Sequence, residues 1–287
     1  MKRQAGWLIY NREDALKNKG YIDWMLNEAS KLDLDLHFHF REDLRIGHRF
    51  SKLYVEHETR PISLPDFAIV RTIDPFFTKQ LEQLGIACFN SSFVSEIAND
   101  KAKTHQYLSS LGIPMADTVY CIGRPSADDM ELPFIAKETR GRGGKQVYLI
   151  EHADDLAELN DGNWIVQKPG LFGRDIRVFV VGNKVKAAVL RESASSFKAN
   201  YTLGGSASLY ELTASELALV ERVMMSFDFG LVGIDFIFAE DGSLMLNEIE
   251  DVVGSRTLSA LSDMNIVWEY LTFIKERISS KRNIFLE

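Results

Sequence analysis

The segment Gly230-Leu-Val-Gly-Ile-Asp235-Phe-Ile-Phe-Ala-Glu240-Asp-Gly-Ser-Leu-Met245-Leu-Asn-Glu248-Ile-Glu250-Asp251 sets two apolar runs on either side of Asp241-Gly242. Asp-Gly between such runs is a strong hairpin signal, because the turn needs residues at ease with positive φ. With a two-residue loop Asp235 lies opposite Glu248, and Glu250, two residues on, shares their face. Three carboxylates thereby converge on a strand pair that is otherwise apolar. Like charges facing each other across strands are destabilising, and burying them uncompensated costs several kcal/mol. A hard divalent cation such as Mg2+ reverses the sign, since carboxylate and phosphate oxygens are its preferred ligands. The other reading open at this point is a solvent-exposed strand end carrying three acids. A three-residue loop would slip the register by one and undo the argument.

A cationic glycine loop lies upstream, between apolar runs at 134–137 and 146–150: Glu138-Thr-Arg140-Gly141-Arg142-Gly143-Gly144-Lys145. Its glycines let backbone N–H groups approach an anion, and Arg140, Arg142 and Lys145 add positive charge. It is neither a Walker A loop nor a dinucleotide fingerprint, because Gln146 stands where Ser or Thr is required and the loop joins two strands. Taken alone, a Gly/Arg turn in a hairpin explains it as well. Lys137, at the end of the preceding strand, and Lys101 upstream give it weight as further phosphate contacts.

Around these elements the chain reads as a mixed protein. Residues 1–100 alternate strand and helix: an apolar run at 7–10, helical spacing at Tyr21, Ile22, Met25, Leu26 and Ala29, and a period-two strand at 32–40. A strand at 67–70, a helix through Phe77, Leu81 and Leu84, and a short strand at 86–89 follow, predicting a mainly parallel α/β leader that ends near residue 92. From Asp100 a helix runs to Gly112-Ile-Pro114, then strands at 134–137, 146–150, 164–167, 175–181 and 185–191 are joined by Gly-containing turns. Thr213-Ala-Ser-Glu216 is a capping box, and the last stretch holds a helix with Trp268, Leu271 and Ile274, so 100–287 reads as α+β. Of 287 residues, 46% are hydrophobic and 26% charged, which fits a globular chain, and the length suggests about two domains with enough chain to bury real cores. A net charge of −8 argues against general affinity for nucleic acid or acidic membranes. Two cysteines, Cys88 and Cys121, exclude a disulfide framework and a cysteine zinc module. With no signal-like h-region and no long apolar run, the expected location is cytoplasmic.

In chain order, Asn99-Asp100-Lys101, Pro133-Phe-Ile-Ala-Lys137 with its glycine loop, and Val166-Gln167-Lys168 resemble motifs of the ATP-grasp superfamily. So do Gly173-Arg-Asp175-Ile-Arg177-Val-Phe-Val-Val-Gly182, Phe197-Lys-Ala-Asn200-Tyr-Thr-Leu-Gly204-Gly205, Gly233-Ile-Asp235 and Asn247-Glu248-Ile-Glu250. The resemblance covers about residues 90–275 and is to the RimK-type carboxylate–amine ligases. It implies α/β plus α+β architecture: an N-terminal Rossmann-like pre-ATP-grasp domain at 1–92, a helix plus lid subdomain at 93–165, and a C-terminal ATP-grasp subdomain at 166–287. It also implies roles. Lys101 and Lys137 would contact ATP phosphates beneath a lid formed by Gly141, Gly143 and Gly144. Gln167 and Lys168 would lie at the adenine, and Asp175 at the ribose. Asp235, Glu248 and Glu250 would hold Mg2+, with Mn2+ as an alternative, and Asn200 would sit beside the phosphates. Arg191 would stand near the reacting carboxylate, its plainer reading being a surface strand cation.

The chemistry so implied is two-step: a carboxylate attacks the γ-phosphate to give an acylphosphate and ADP, then an amine displaces phosphate to leave an amide. Expected partners are small-molecule or peptide carboxylates and amines, with no nucleic acid, no membrane, and a homo-oligomer left open. Phosphotransfer to a hydroxyl and catalytically silent nucleotide binding are the alternatives. The sequence departs from the family pattern at Glu250, where Asn is usual, and at Leu203, where relatives carry a cation. Asp251-Val-Val-Gly-Ser-Arg256 replaces a Pro-Gly turn, making Arg256 a candidate substrate-facing cation. Elsewhere, Arg71 after the strand at 67–70 is either a ligand contact or an ion-pair partner of Asp74. His37 and His39 read as solvated strand residues, and Arg41, Arg45, Arg49 and Lys52 as a solvated helix or loop face.

Overall fold

A computed structural model describes residues 3–144, 146–193 and 205–284 of the protein, the last four as backbone. The leader opens with β1 (Gln4–Tyr10), α1 (Arg12–Lys17), α2 (Lys19–Lys31) and β2 (Leu34–Phe40). After β3 (Leu44–Arg49), β4 (Lys52–His57) and β5 (Arg60–Pro61) come β6 (Phe67–Val70), α3 (Pro75–Gln83) and β7 (Ala87–Phe89). β2-β1-β6-β7 form a parallel sheet in that order. β6 is buried throughout, as a parallel strand covered on both faces must be. The basic cluster departs from expectation: Arg45, Arg49 and Lys52 lie on an antiparallel β3–β4 hairpin. The cause is an apolar alternation the cations obscured, since Leu44, Ile46 and Val55 pack with Phe77 and Leu81 of α3.

The middle of the chain supplies α4 (Ser92–Ala98) and α5 (Lys101–Ser109), N-capped by Ser91 and Asp100. A four-stranded antiparallel sheet follows, built from β8 (Thr118–Ile122), β9 (Phe134–Glu138), β10 (Val147–Ile150) and β11 (Asn163–Gln167) in the order β10-β9-β11-β8. The sequence reading omits β8, an edge strand with no fully buried residue and hence no clear inward face.

The rest comprises β12 (Arg174–Val181), β13 (Lys184–Glu192), β14 (Ser206–Leu209), α6 (Ala214–Met224), β15 (Leu231–Phe238) and β16 (Leu244–Glu250), then α7 (Arg256–Leu261) and α8 (Ile266–Ile284). The five strands run β14-β13-β12-β15-β16, and the capping box expected at Thr213 and Glu216 opens α6. Phe179, Val181 and Leu231 share a core with Leu271 and Ile274 of α8 and with Leu8 and Met25 of the leader. Ile176, Val178 and Ile234, on the opposite face, pack with Val220 of α6, Val94 of α4 and Leu108 of α5. By strand parity Asp175 and Arg177 lie on the same face as Phe179 and Val181. That face therefore turns from apolar to charged along its length, and the charged end faces the four-stranded sheet. Among the described residues no helix is long and apolar enough to cross a membrane.

Candidate active site

The β15–β16 turn is not the two-residue loop expected. Ala239 N donates to Ser243 O (2.8 Å) and Gly242 sits at φ +82°, so Glu240, Asp241 and Gly242 form a three-residue loop. Near the turn Phe238 pairs with Leu244 and Phe236 with Leu246, one residue away from the expected register. An irregularity at Asn247 then inserts one residue, and Asp235 faces Glu248 after all, with Gly233 facing Glu250. The two departures cancel. The bulge also brings two sequence neighbours, Asn247 and Glu248, to the same cleft, which a regular strand cannot do. Asn247 is absent from the sequence-derived set, yet a parity break carries its signal: the buried apolar positions are Leu244, Leu246 and then Ile249.

Carboxylate oxygens of Asp235, Glu248 and Glu250 lie within 4.8 Å of one another. Asp235 is 1% exposed and Glu248 and Glu250 are half-buried, so the trio is not a fully solvated strand end. The surroundings are not apolar, however. Register places Arg177 opposite Asp235 and Arg191 opposite Asp175. Arg177 donates through Nε and Nη2 to the two Asp235 oxygens (2.7 and 2.6 Å), and Nη2 also lies 2.8 Å from Glu250 Oε1. Arg191 donates to Asp175 Oδ1 (2.5 Å) and Asp235 Oδ2 (2.9 Å). Arg191 is therefore buried, not a surface cation. Burial alone would raise the Asp235 pKa, but the two guanidiniums outweigh it and hold the carboxyl at about 2. For Glu250 burial prevails and the pKa rises.

Across the cleft, Lys101 opens α5 and its Nζ donates to Gly141 O (2.7 Å), 3.3 Å from Glu248 Oε2. Lys137 Nζ donates to Asn247 Oδ1 (2.6 Å), and burial, reinforced by the charge of Lys101, brings its pKa down to about 8. Gly141, Gly143 and Gly144 line the cleft, the last two at φ +63° and +70°. Of the loop's cations, Arg140 turns outward to Asp100 (3.2 Å), Arg142 is not among the lining residues, and Lys145 lies outside the described residues. Gln167, Lys168, Asp175 and Arg191 complete a cleft that is open at its mouth. Gln167 is buried, with Nε2 near Thr118 Oγ1 (2.8 Å) and His105 Nδ1 (3.3 Å).

The structure thus brings together every sequence-derived candidate except two. Arg256 is exposed at the start of α7 and does not line the cleft, because the turn after Glu250 carries it away. Asn200 lies outside the described residues, as do Leu203 and Gly204. Arg177 and His105 were missed, although Arg177 shares the parity of Asp175 and His105 lies one helical turn after Lys101. Arg71 pairs with no Asp74: it is buried, donating to Tyr10 OH (2.9 Å) and Val253 O (2.8 Å), while Asp74 caps α3 and accepts from Arg41. His37 pairs with Asp35. His39 is half-buried against Trp7 and His57 rather than solvated, and burial lowers its pKa to about 4.

The acid trio supplies hard oxygen donors that fit a divalent cation such as Mg2+, and it is the one such group of three or more among the described residues. The four acids Asp175, Asp235, Glu248 and Glu250 offset most of the positive charge of Lys101, Lys137, Lys168, Arg174 and Arg191 along the cleft, and Arg177 behind it pairs with Asp235 and Glu250. A polyanion entering it needs cations of its own.

Residues 98–274 match the RimK-like ATP-grasp domain. A Mycoplasma pneumoniae protein named "Uncharacterized protein MG011 homolog" is 27% identical over 275 residues, covering 93% of this chain and 90% of its own. A Xanthomonas campestris pv. campestris protein named "Probable alpha-L-glutamate ligase" is 30% identical over 216 residues, covering 70% of this chain and 73% of its own. Among solved structures, the ATP-grasp ligase PsnB, complexed with a precursor variant, Mg and ADP, superposes with a TM-score of 0.72 at 13% identity, over 95% of this chain and 98% of that one. That likeness shows the ATP-grasp fold.

Proposed function

The chain belongs to the RimK-like ATP-grasp family, and from that premise we propose that it is an ATP-dependent ligase joining a carboxylate to an amine through an acylphosphate. The observation that carries the reading is the pair of facing arrays, Asp235, Glu248 and Glu250 on one wall and Lys101 and Lys137 with the glycine loop on the other. Catalysis of phosphoryl transfer is positioning plus electrostatics, and these residues supply both. Lys101 and Lys137 hold the phosphates, and Gly143 and Gly144 let the loop's backbone approach them. Asp235, Glu248 and Glu250 would hold Mg2+, which neutralises charge on the phosphate oxygens when bound. Arg191, fixed by Asp175 and Asp235, presents a cation to the acid's carboxylate. Asn200 is assigned beside the phosphates. Arg256, off the cleft wall, gains no support from the geometry.

The acid and amine belong to the amino-acid or peptide class, in line with the glutamate-ligase name of the Xanthomonas relative. A screen of amino acids and peptides with ATP and hydroxylamine tests this. A ligase yields a hydroxamate from its acid together with ADP. A stable phosphoester would establish a kinase instead, and neither product from any pair would leave only nucleotide binding.

A further inference from the structure

A chain of hydrogen bonds whose direction is set at both ends lies behind the cleft. Carbonyl oxygens only accept. Thr118 Oγ1 donates to Ala116 O (2.8 Å), so towards Gln167 Nε2 (2.8 Å) it can only accept. His105 Nε2 must carry the proton it donates to Asn247 O (2.9 Å), the carbonyl of the bulge residue. The imidazole is neutral, because burial lowers its pKa to about 4. Nδ1 is therefore bare and accepts from Gln167 Nε2 (3.3 Å). Both neighbours demand the NH2 end of the Gln167 amide, and a flipped amide would set Oε1 against two acceptors. His105 and Gln167 are 2% and 3% exposed, so water offers no substitute.

We infer that His105 is a positioning residue that, with Thr118, holds both amide protons of Gln167. Oε1 is left as the polar atom for the cleft, and the site selects a nucleobase bearing an exocyclic amino group over one bearing a carbonyl there. The inference rests on reading the cleft as a nucleotide site. A fixed acceptor favours the amino base by about tenfold, the scale of one hydrogen bond whose loss leaves a buried group unmatched.

The test is calorimetric titration of the full chain with ATP and with inosine triphosphate, both with Mg2+, which share ribose and phosphates and differ at the base. His105→Gln keeps an N–H near the Nε2 position but loses the Nδ1 acceptor. His105→Asn keeps an acceptor near the Nδ1 position. Wild type should prefer ATP by about tenfold. His105→Gln should bring the ratio close to unity, while His105→Asn stays within about twofold of wild type. Thr118→Val reads the same link from the other end, should also shrink the ratio, and decides alone where His105→Gln does not fold. An unchanged ratio in His105→Gln, or equal loss in both His105 variants, overturns the inference. A wild type binding ATP and inosine triphosphate equally overturns it while leaving the nucleotide reading intact; a wild type binding neither overturns both.

Discussion

Replacing Arg177 with methionine removes the guanidinium that touches both Asp235 and Glu250. Carboxylate oxygens of the trio within 4.8 Å of each other repel by about 3 kcal/mol per charged pair at an effective dielectric near 20. Asp235 keeps Arg191, but Glu250 loses its ion-pair partner; because the Glu250 side chain is about a third exposed, solvent cuts the about 3–5 kcal/mol of a fully buried pair to a net loss of about 2–3 kcal/mol. For a chain of this size that corresponds to a fall in Tm of roughly 6 °C. The Glu250 pKa is already raised by burial, and without Arg177 the group takes up a proton more readily. The loss should therefore be smaller at pH 6 than at pH 8. A divalent cation does the same job as the missing guanidinium, so Mg2+ should raise the Tm of Arg177→Met more than that of wild type. Calorimetric scans in chelator and in Mg2+, at both pH values, read all of this. A variant that melts within 2 °C (~1 kcal/mol) of wild type in chelator, or that gains no more from Mg2+ than wild type does, would refute the account of these charges.

Glu248→Ala should abolish ADP production, and normal turnover would remove the metal assignment. Lys137, with its pKa near 8 in the free protein, must be charged to hold phosphates. Because this folded-state pKa lies below that of an ordinary lysine, kcat/KM for ATP should fall as pH rises through about 8, and Lys137→Arg should flatten that limb; an unchanged profile in the variant contradicts the assignment. Gly143 sits at φ +63° with open space where a Cβ would go, so Gly143→Ala strains only the backbone. It should raise KM for ATP severalfold with a Tm change of about 3 °C or less, from a strain of about 1 kcal/mol; an unaltered KM would show that the loop does not need this conformation.

The strands and helices of the chain follow from apolar period wherever one face is buried. The parallel leader and the β12–β13 strands are of this kind, while the capping box at Thr213 is legible as a polar hydrogen-bonding motif. β3 and β4 were hidden because Arg45, Arg49 and Lys52 sit on the solvent side of a hairpin whose inward residues are few. β8 was hidden because an edge strand without a buried residue has no period to show. These misses share one cause: hydrophobic periodicity reports burial, and short or half-exposed strands are stabilised by hydrogen bonding to neighbours instead.

The site was read less completely for a different reason. Hairpin pairing with strand parity puts Asp235, Glu248 and Glu250 on a common face, and the structure brings them together there. It cannot see Arg177 and Arg191, 58 and 44 residues from Asp235 in the chain, which cross-strand register brings against that carboxylate. Nor does a loop-length rule anticipate that a longer turn and a bulge at Asn247 compensate one another. The apolar positions Leu244, Leu246 and Ile249 nevertheless demand that compensation, because a strand held in the shifted register through Asp235 would bury Glu248 and expose Ile249. Burying the correct side chain, worth about 2 kcal/mol for the isoleucine alone, outweighs the lost ladder bond at the bulge, worth about 1 kcal/mol. The same hydrophobic term that builds the core therefore sets the register at which the acids meet. Substituting Ile249 by a polar residue of equal size should disperse the trio without touching any of its members.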